Sequence, residues 1–246
     1  MKKCRLFVLM ALAMLAGQGL SRGAVAISSG AADPATGADD QFNFVDDQTI
    51  PGGNAPGGGA YNSQTYSDNA GPPGQTFTTP NSAAAYTLTS ISFKGTGDAG
   101  GDSLANAWAI RVSSVSGTAL TSLNTVTDIA GPGGPTPNTD WLTWTFSDGD
   151  VLTLSPGAQY AVEVYSESGW WGIGGALDSA YASGTAFNSA GPSRTFNDST
   201  LGNLANHGYD RTFHVALSAV PEPATCSLAL CTATALLTMR RRLAGA

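Results

Sequence analysis

Apolar and polar residues alternate in short runs along most of this chain, and a period of two is the signature of half-buried strands. The clearest run is Trp141-Leu142-Thr143-Trp144-Thr145-Phe146, in which Leu142, Trp144 and Phe146 share one face. Trp108, Ile110 and Val112 do the same and leave Arg111 on the opposite face. In residues 159–166, Tyr160, Val162 and Val164 point inward while Glu163 and Tyr165 point outward. Near the end, Phe213, Val215 and Leu217 face the core and His214 the other side. Residues 86–94 carry two apolar sets, Tyr86 with Leu88 and Ile91 with Phe93, which a regular strand would place on opposite faces. That switch near Ser90 predicts a β-bulge.

Further strands are expected at 75–79, which Pro80 ends, and at 151–154 and 180–187, with a weaker one over 119–129. Phe42-Asn43-Phe44 reads as an edge strand. Glycine, proline, asparagine and aspartate punctuate these runs. Asp148-Gly149-Asp150 and Ser155-Pro156-Gly157 are expected turns, 51–59, 95–102 and 131–137 loops, and 168–175 irregular. The body shows no convincing helical period. The expected fold is all-β, a single antiparallel jelly-roll-like β-sandwich of roughly eight strands.

Both ends break the alternation. Lys2, Lys3 and Arg5 precede an apolar run over 6–16, and Ala24-Val25-Ala26 offers the small residues that a signal peptidase reads. A signal peptide over 1–26 is expected, cut after Ala26; against the alternative, an uncleaved anchor, stands the short apolar core. At the other end an apolar run, 224–239, lies between Val220-Pro221-Glu222-Pro223 and Arg240-Arg241-Arg242. The prolines favour extended backbone. Sixteen helical residues span about 24 Å at ~1.5 Å each, against a bilayer core of about 30 Å. The arginines orient the extreme C-terminus toward the cytoplasm. The expected organisation is a signal peptide over 1–26, a Gly/Pro/Asp-rich segment over 27–60 that is largely loop, a β-sandwich over 61–219 and a tail over 220–246.

This three-part tail resembles the PEP-CTERM sorting signal of bacterial envelope proteins, with Pro221, Glu222 and Pro223 as its motif and Arg240, Arg241 and Arg242 as its stop. The resemblance implies recognition and cleavage by an exosortase-type membrane protease at the inner membrane. The C-terminal transmembrane helix anchors the protein until then, and the product passes to the cell surface or extracellular matrix. An ordinary tail anchor is the alternative. Gln75-Thr76-Phe77-Thr78, the run around Ile91, Ser155-Pro156-Gly157 with Tyr160, and Phe213-His214-Val215 are also similar, more loosely, to the β-sandwich bodies of such proteins. That likeness names no activity.

Removing both ends changes the charge. The whole chain carries −7, but residues 27–220 keep only Lys94, Arg111, Arg194 and Arg211 against 17 of the 18 acids, a net −13. So acidic a body argues against nucleic-acid binding, which needs a basic face. Cys4, Cys226 and Cys231 all lie in the ends, so the body has neither disulfide nor cysteine nucleophile.

Candidate chemistry is sparse, with no G-x-S-x-G elbow, H-E-x-x-H or P-loop. Glu163 and Glu167, the only glutamates of the body, suit either glycoside hydrolysis or a solvated sheet face. His207, Asp210 and His214 would make a metal set if a turn near Gly208 brought His207 back; alternatively Asp210 pairs with Arg211 or Arg194 to pin the last strand. Asp68, Asp98, Asp102, Asp148 and Asp150 suit calcium, although Asp148-Gly149 as a turn needs no ion. No cofactor is expected, with calcium the alternative and its site unassigned. Trp108 and Trp144 are expected in the core. Tyr165, Trp170 and Trp171 either stack on sugar rings or plug the end of the sandwich. The first expectation is a non-enzymatic exported protein whose partners are signal peptidase and an exosortase-type protease. The alternative is a lectin-like module binding extracellular polysaccharide.

Overall fold

Each long alternating run becomes a strand of an antiparallel sheet. A computed structural model describes residues 24–45, 61–62, 72–100, 107–133, 140–167, 170–176, 181–188, 195–196, 200–201 and 210–221. The N-terminal segment 1–23 and the apolar tail 222–246 lie outside them. The first strands are β1 (Ala24–Gly30), β2 (Gln41–Asn43), β3 (Tyr61–Asn62), β4 (Pro73–Thr78), β5 (Ala85–Gly100), β6 (Ala107–Ser116), β7 (Ala119–Ala130) and β8 (Trp141–Ser147). After a 3-10 turn at Asp148–Asp150 come β9 (Leu152–Leu154), β10 (Gln159–Ser166), β11 (Trp170–Ile173), β12 (Gly175–Ala176), β13 (Ala186–Asn188), β14 (Asp210–Arg211) and β15 (Phe213–Val220). Among the described residues no helix is long and apolar enough to cross a membrane.

Two large sheets carry the fold. The first runs β1-β8-β5-β15-β2, with β9 also on β5 and with β11 and then β3 on the far part of β5. The second runs β13-β4-β10-β6-β7, and β12 and β14 form a short ribbon. One core lies between them. The first sheet supplies Leu142, Trp144, Phe213 and Val215, and the second Trp108, Ile110, Val112, Tyr160, Val162 and Val164. Trp108 and Trp144 meet edge-on across this core, with ring centroids 5.5 Å apart and planes at 71°.

The expected bulge decides how β5 joins that core. Leu88 opposes Leu217 while Ser90 opposes Ala216, so Thr89 is an extra residue without a cross-strand partner. Its hydroxyl donates to the Ala216 carbonyl at 3.1 Å. The insertion turns the strand over by one position, and Tyr86, Leu88, Ile91 and Phe93 all become fully buried on the same side.

Three expectations differ from the fold. The glycine-rich stretch from Gly95 extends β5 to Gly100, because its backbone pairs with Trp170, Trp171 and Ile173 of β11. Ladder hydrogen bonds need no side chain, so glycines and the expected irregular stretch 168–175 hid a strand pair. The expected strand over 180–187 shortens to Ala186–Asn188, since Tyr181 and the residues after it form a turn. The first sheet also begins before residue 61. Val25 and Ile27 of β1 pack against the core, and β1 pairs with β8 across the expected cut after Ala26.

Deleting Thr89 forces Tyr86 and Leu88 toward the outside, and we expect loss of the cooperative unfolding transition in urea. Thr89→Val keeps the register, loses one hydrogen bond, and should cost only about 1 kcal/mol in the same measurement.

Candidate functional site

A sandwich has two outer faces, and in this chain both bear polar residues that the fold covers. On the second sheet, Arg111 of β6 and Glu163 of β10 are directly in register. Arg111 Nη2 lies 2.5 Å from Glu163 Oε2, with the side chains 6% and 0% exposed. Arg111 Nε donates to the same oxygen at 2.6 Å, and Nη1 donates to the Phe196 carbonyl at 2.9 Å. The Phe196 ring sits 5.1 Å from the guanidinium and 4.8 Å from the ring of Tyr165. Beside them Leu120, Ala161, Phe187 and Leu201 form a second small apolar cluster. The expected solvated face at Glu163 is therefore dry. A carboxylate bound to a guanidinium and shut from water is also unsuited to acid–base attack on a glycosidic bond. Glu167, in contrast, accepts a bond from the exposed Asp128 backbone N–H at 3.3 Å.

Tyr165 points outward as expected, but Phe196 covers it and 9% of the residue is exposed. Burial, then the nearby Glu167 and Asp128 carboxylates, push its phenol above the ordinary value. Trp170 and Trp171 belong to β11 of the first sheet, opposite Gly100 and Ala99, so the fold divides the expected aromatic set between two sheets.

Asp210 ties the short strand β14 to β4 and to the turn at Tyr181. Its Oδ1 accepts from Gln75 Nε2 at 3.0 Å and its Oδ2 from the Tyr181 backbone N–H at 2.8 Å. Gln75 Oε1 in turn accepts from the Arg211 backbone N–H at 2.8 Å. Burial raises the Asp210 pKa, opposed by those two hydrogen bonds. Of the expected metal set, His207 lies outside the described residues, and both Asp210 oxygens are already engaged. Among the described residues no three His, Cys, Asp or Glu side chains gather as a metal site. Asp68 and Asp102 lie outside them, and Asp150 accepts from Asn124 Nδ2 at 3.3 Å in a half-buried contact.

The first sheet's outer face holds what sequence reasoning missed. Residues 31–45 fold back over it, anchored by Asp40. One Asp40 oxygen takes the Leu217 backbone N–H at 2.9 Å; the other takes the Gly37 N–H at 2.6 Å and His214 Nε2 at 2.9 Å. His214 is 2% exposed and Phe42 and Phe44 flank it, at 6.3 and 6.1 Å between ring centroids. Trp141 donates its indole N–H to Asp33 at 3.0 Å and meets Phe44 edge-on at 5.5 Å. Beneath this cover lies a cavity of about 310 Å³, walled by Trp141, His214, Ser90, Ser92, Thr143 and Ala216 among others. The signal for it was the row of hydroxyl residues at outward positions of β5 and β8. Nothing in a single sequence ties Asp40 to a histidine 174 positions away.

Asp40, His214 and Ser92 have the residue types of a nucleophile relay, but the required bond is absent. Ser92 Oγ bonds to Thr143 Oγ1 at 2.8 Å, and His214 Nδ1 makes no hydrogen bond among the described residues. Ser92 Oγ is thus partnered by Thr143 and not by His214. Compared with protein-family models, curated proteins and solved structures, the chain matches none.

Removing one member of the buried ion pair, by Arg111→Met or Glu163→Gln, should cost about 3–5 kcal/mol in urea unfolding. Replacing both with apolar residues of like size should recover most of that loss. Asp210 makes a pH prediction. Its folded-state pKa lies above the ordinary 3.8, so the native state holds the proton more tightly than the unfolded chain. Its contribution to stability therefore falls as pH rises from 3.8 through the folded value, and Asp210→Asn should remove that slope from a pH series of unfolding curves.

Proposed function

We propose that this chain is an exported, non-enzymatic protein of the cell surface or extracellular matrix, built as a jelly-roll β-sandwich and sorted by its C-terminal tail. The observation that carries this reading is the order of Pro221-Glu222-Pro223, the apolar run 224–239 and Arg240-Arg241-Arg242, directly after the closing strand. β15 ends at Val220 and Pro221 is exposed, so the motif follows immediately on the last described strand. The tail acts as a membrane helix until an exosortase-type protease removes it, and residues 1–26 serve as the export signal. The acidic, cysteine-free body suits life outside the cell.

The jelly-roll reading is supported by strand pairing. A jelly roll is one long antiparallel hairpin rolled over on itself, so pairing proceeds from the outermost strands inward. Eight strands follow that rule: β2 with β15, β4 with β10, β5 with β8, and β6 with β7. They roll into β2-β15-β5-β8 on one sheet and β4-β10-β6-β7 on the other.

A second reading, a carbohydrate-binding module with calcium as its candidate ion, is favoured by Trp170 and Trp171. They occupy successive positions of β11, in register with Gly100 and Ala99 of β5.

The first reading is tested by expressing the full chain in a bacterium with and without an exosortase-type protease. We expect a shortened, outward-delivered product only when the protease is present. Pro221→Ala with Pro223→Ala, or Arg240→Ala with Arg241→Ala and Arg242→Ala, should leave the chain full-length in the membrane; normal processing of both variants would refute the tail as a sorting signal. For the second reading, glycan-array binding with and without calcium should be lost in Trp170→Ala and Trp171→Ala.

A further inference from the structure

The cavity on the outer face of the first sheet has a composition that selects a ligand. We propose that it is a binding site for one neutral sugar ring, recognised by His214, the hydroxyls of Ser90, Ser92 and Thr143, and the indole of Trp141. This rests on the carbohydrate-binding reading above but moves the site away from β11.

Charge is the first argument. Among the described residues no Lys, Arg, Asp or Glu lines the cavity; Lys94, 5.9 Å from the centroid of the Trp141 ring, stands outside the lining. An ionised ligand would lose its water there without gaining a counter-charge in the wall, which is costly. The nearest acids are already committed, Asp40 to His214, Gly37 and Leu217, and Asp33 to Trp141. A neutral ligand is the one that fits.

Hydrogen bonding is the second. Asp40 accepts at its other contacts, so His214 engages it through Nε2, which leaves Nδ1 as the ring's other polar atom. That nitrogen is buried and makes no hydrogen bond among the described residues. A buried polar atom left unsatisfied is costly, and because the His214 ring lines the cavity, a ligand hydroxyl that reaches Nδ1 as the ring turns removes the cost. His214, Ser92 and Thr143 stand in one cross-strand row, since His214 opposes Ser92 and Ser92 opposes Thr143. The row sets an imidazole and two hydroxyls at strand spacing, a pattern that matches successive hydroxyls of a polyol better than a single polar group.

Size and access complete the case. At about 310 Å³ the cavity stands at the small end of ligand pockets, which run roughly 300–1,000 Å³, and so suits one ring. Ser28, Gly30 and Ala35, also in its wall, are exposed, so the cavity reaches solvent on that side. A ring at a chain end can enter there as well as a free one.

The test is calorimetric titration of the full chain, purified in a detergent without a sugar headgroup. Probes are neutral hexoses, the same hexoses at the non-reducing end of trisaccharides, and glucuronate as the charged control. Ala216→Leu fills the cavity without touching a hydrogen-bonding side chain, and Trp170→Ala and Trp171→Ala report on the other site. Thermal unfolding confirms that each variant folds. We expect a neutral hexose to bind, Ala216→Leu to weaken it by about tenfold or more, and the β11 variants to leave it unchanged. Binding of the free hexose alone would mark a small-molecule site, and binding of both forms a glycan-end site; either supports the proposal. Binding lost in the β11 variants but kept in Ala216→Leu overturns the cavity while sparing the carbohydrate reading. Preference for glucuronate overturns the neutral-ligand assignment, and a folded protein that binds no probe overturns both.

Discussion

The fold depends on the one-residue slip at Thr89. β5 pairs with β15 on one edge and with β8 and β9 on the other, and its far part takes β11, so the first sheet is organised around it. A strand in regular register would send Tyr86 and Leu88 to one side and Ile91 and Phe93 to the other. One extra residue brings all four into the core, where they meet Trp144 and Phe213 of their own sheet and Val162 of the facing one. Burying a large apolar side chain contributes roughly 1.5–3 kcal/mol, so recovering two of them outweighs the one unpaired position.

Around that core the chain covers its own outer faces. The second sheet is covered by Phe196 over Arg111 and by Leu201 beside Leu120 and Phe187, and the first by residues 31–45 over His214 and Trp141. Desolvating charged groups is costly, and good geometry offsets that cost without necessarily exceeding it. What such pairs provide here is position. Arg111 accepts one docking of Phe196, and Asp40 ties its segment to both His214 and the Leu217 backbone. A body without cysteine is thus held together by buried polar clamps and not by disulfides. The same covering leaves a cavity on the first sheet, and on the second it removes Tyr165 from the surface.

Strand identity was legible wherever side chains alternate. Leu142, Trp144 and Phe146 marked β8, Trp108 to Val112 marked β6, and the two apolar sets of β5 announced their bulge. It was not legible where backbone alone does the pairing. Gly95 and Gly100 offer no side chain to read, so the extension of β5 and its partner β11 stayed hidden. The candidate site was less legible still. Outwardness of Glu163, Tyr165 and His214 was readable from period two, but exposure was not, because the covering residues come from distant parts of the chain.

By itself, then, the sequence determined the all-β class, the inward set of each strand, the place of the bulge and the acidic cysteine-free body. These are local properties, written in residue type and spacing. Tertiary structure alone decided which strands are neighbours, which outer faces are dry, and that Asp40 meets His214 and Arg111 meets Glu163 beneath Phe196. Those contacts join residues far apart in the chain, and closure over such distances depends on how the whole sheet rolls up, which no short window of residues encodes.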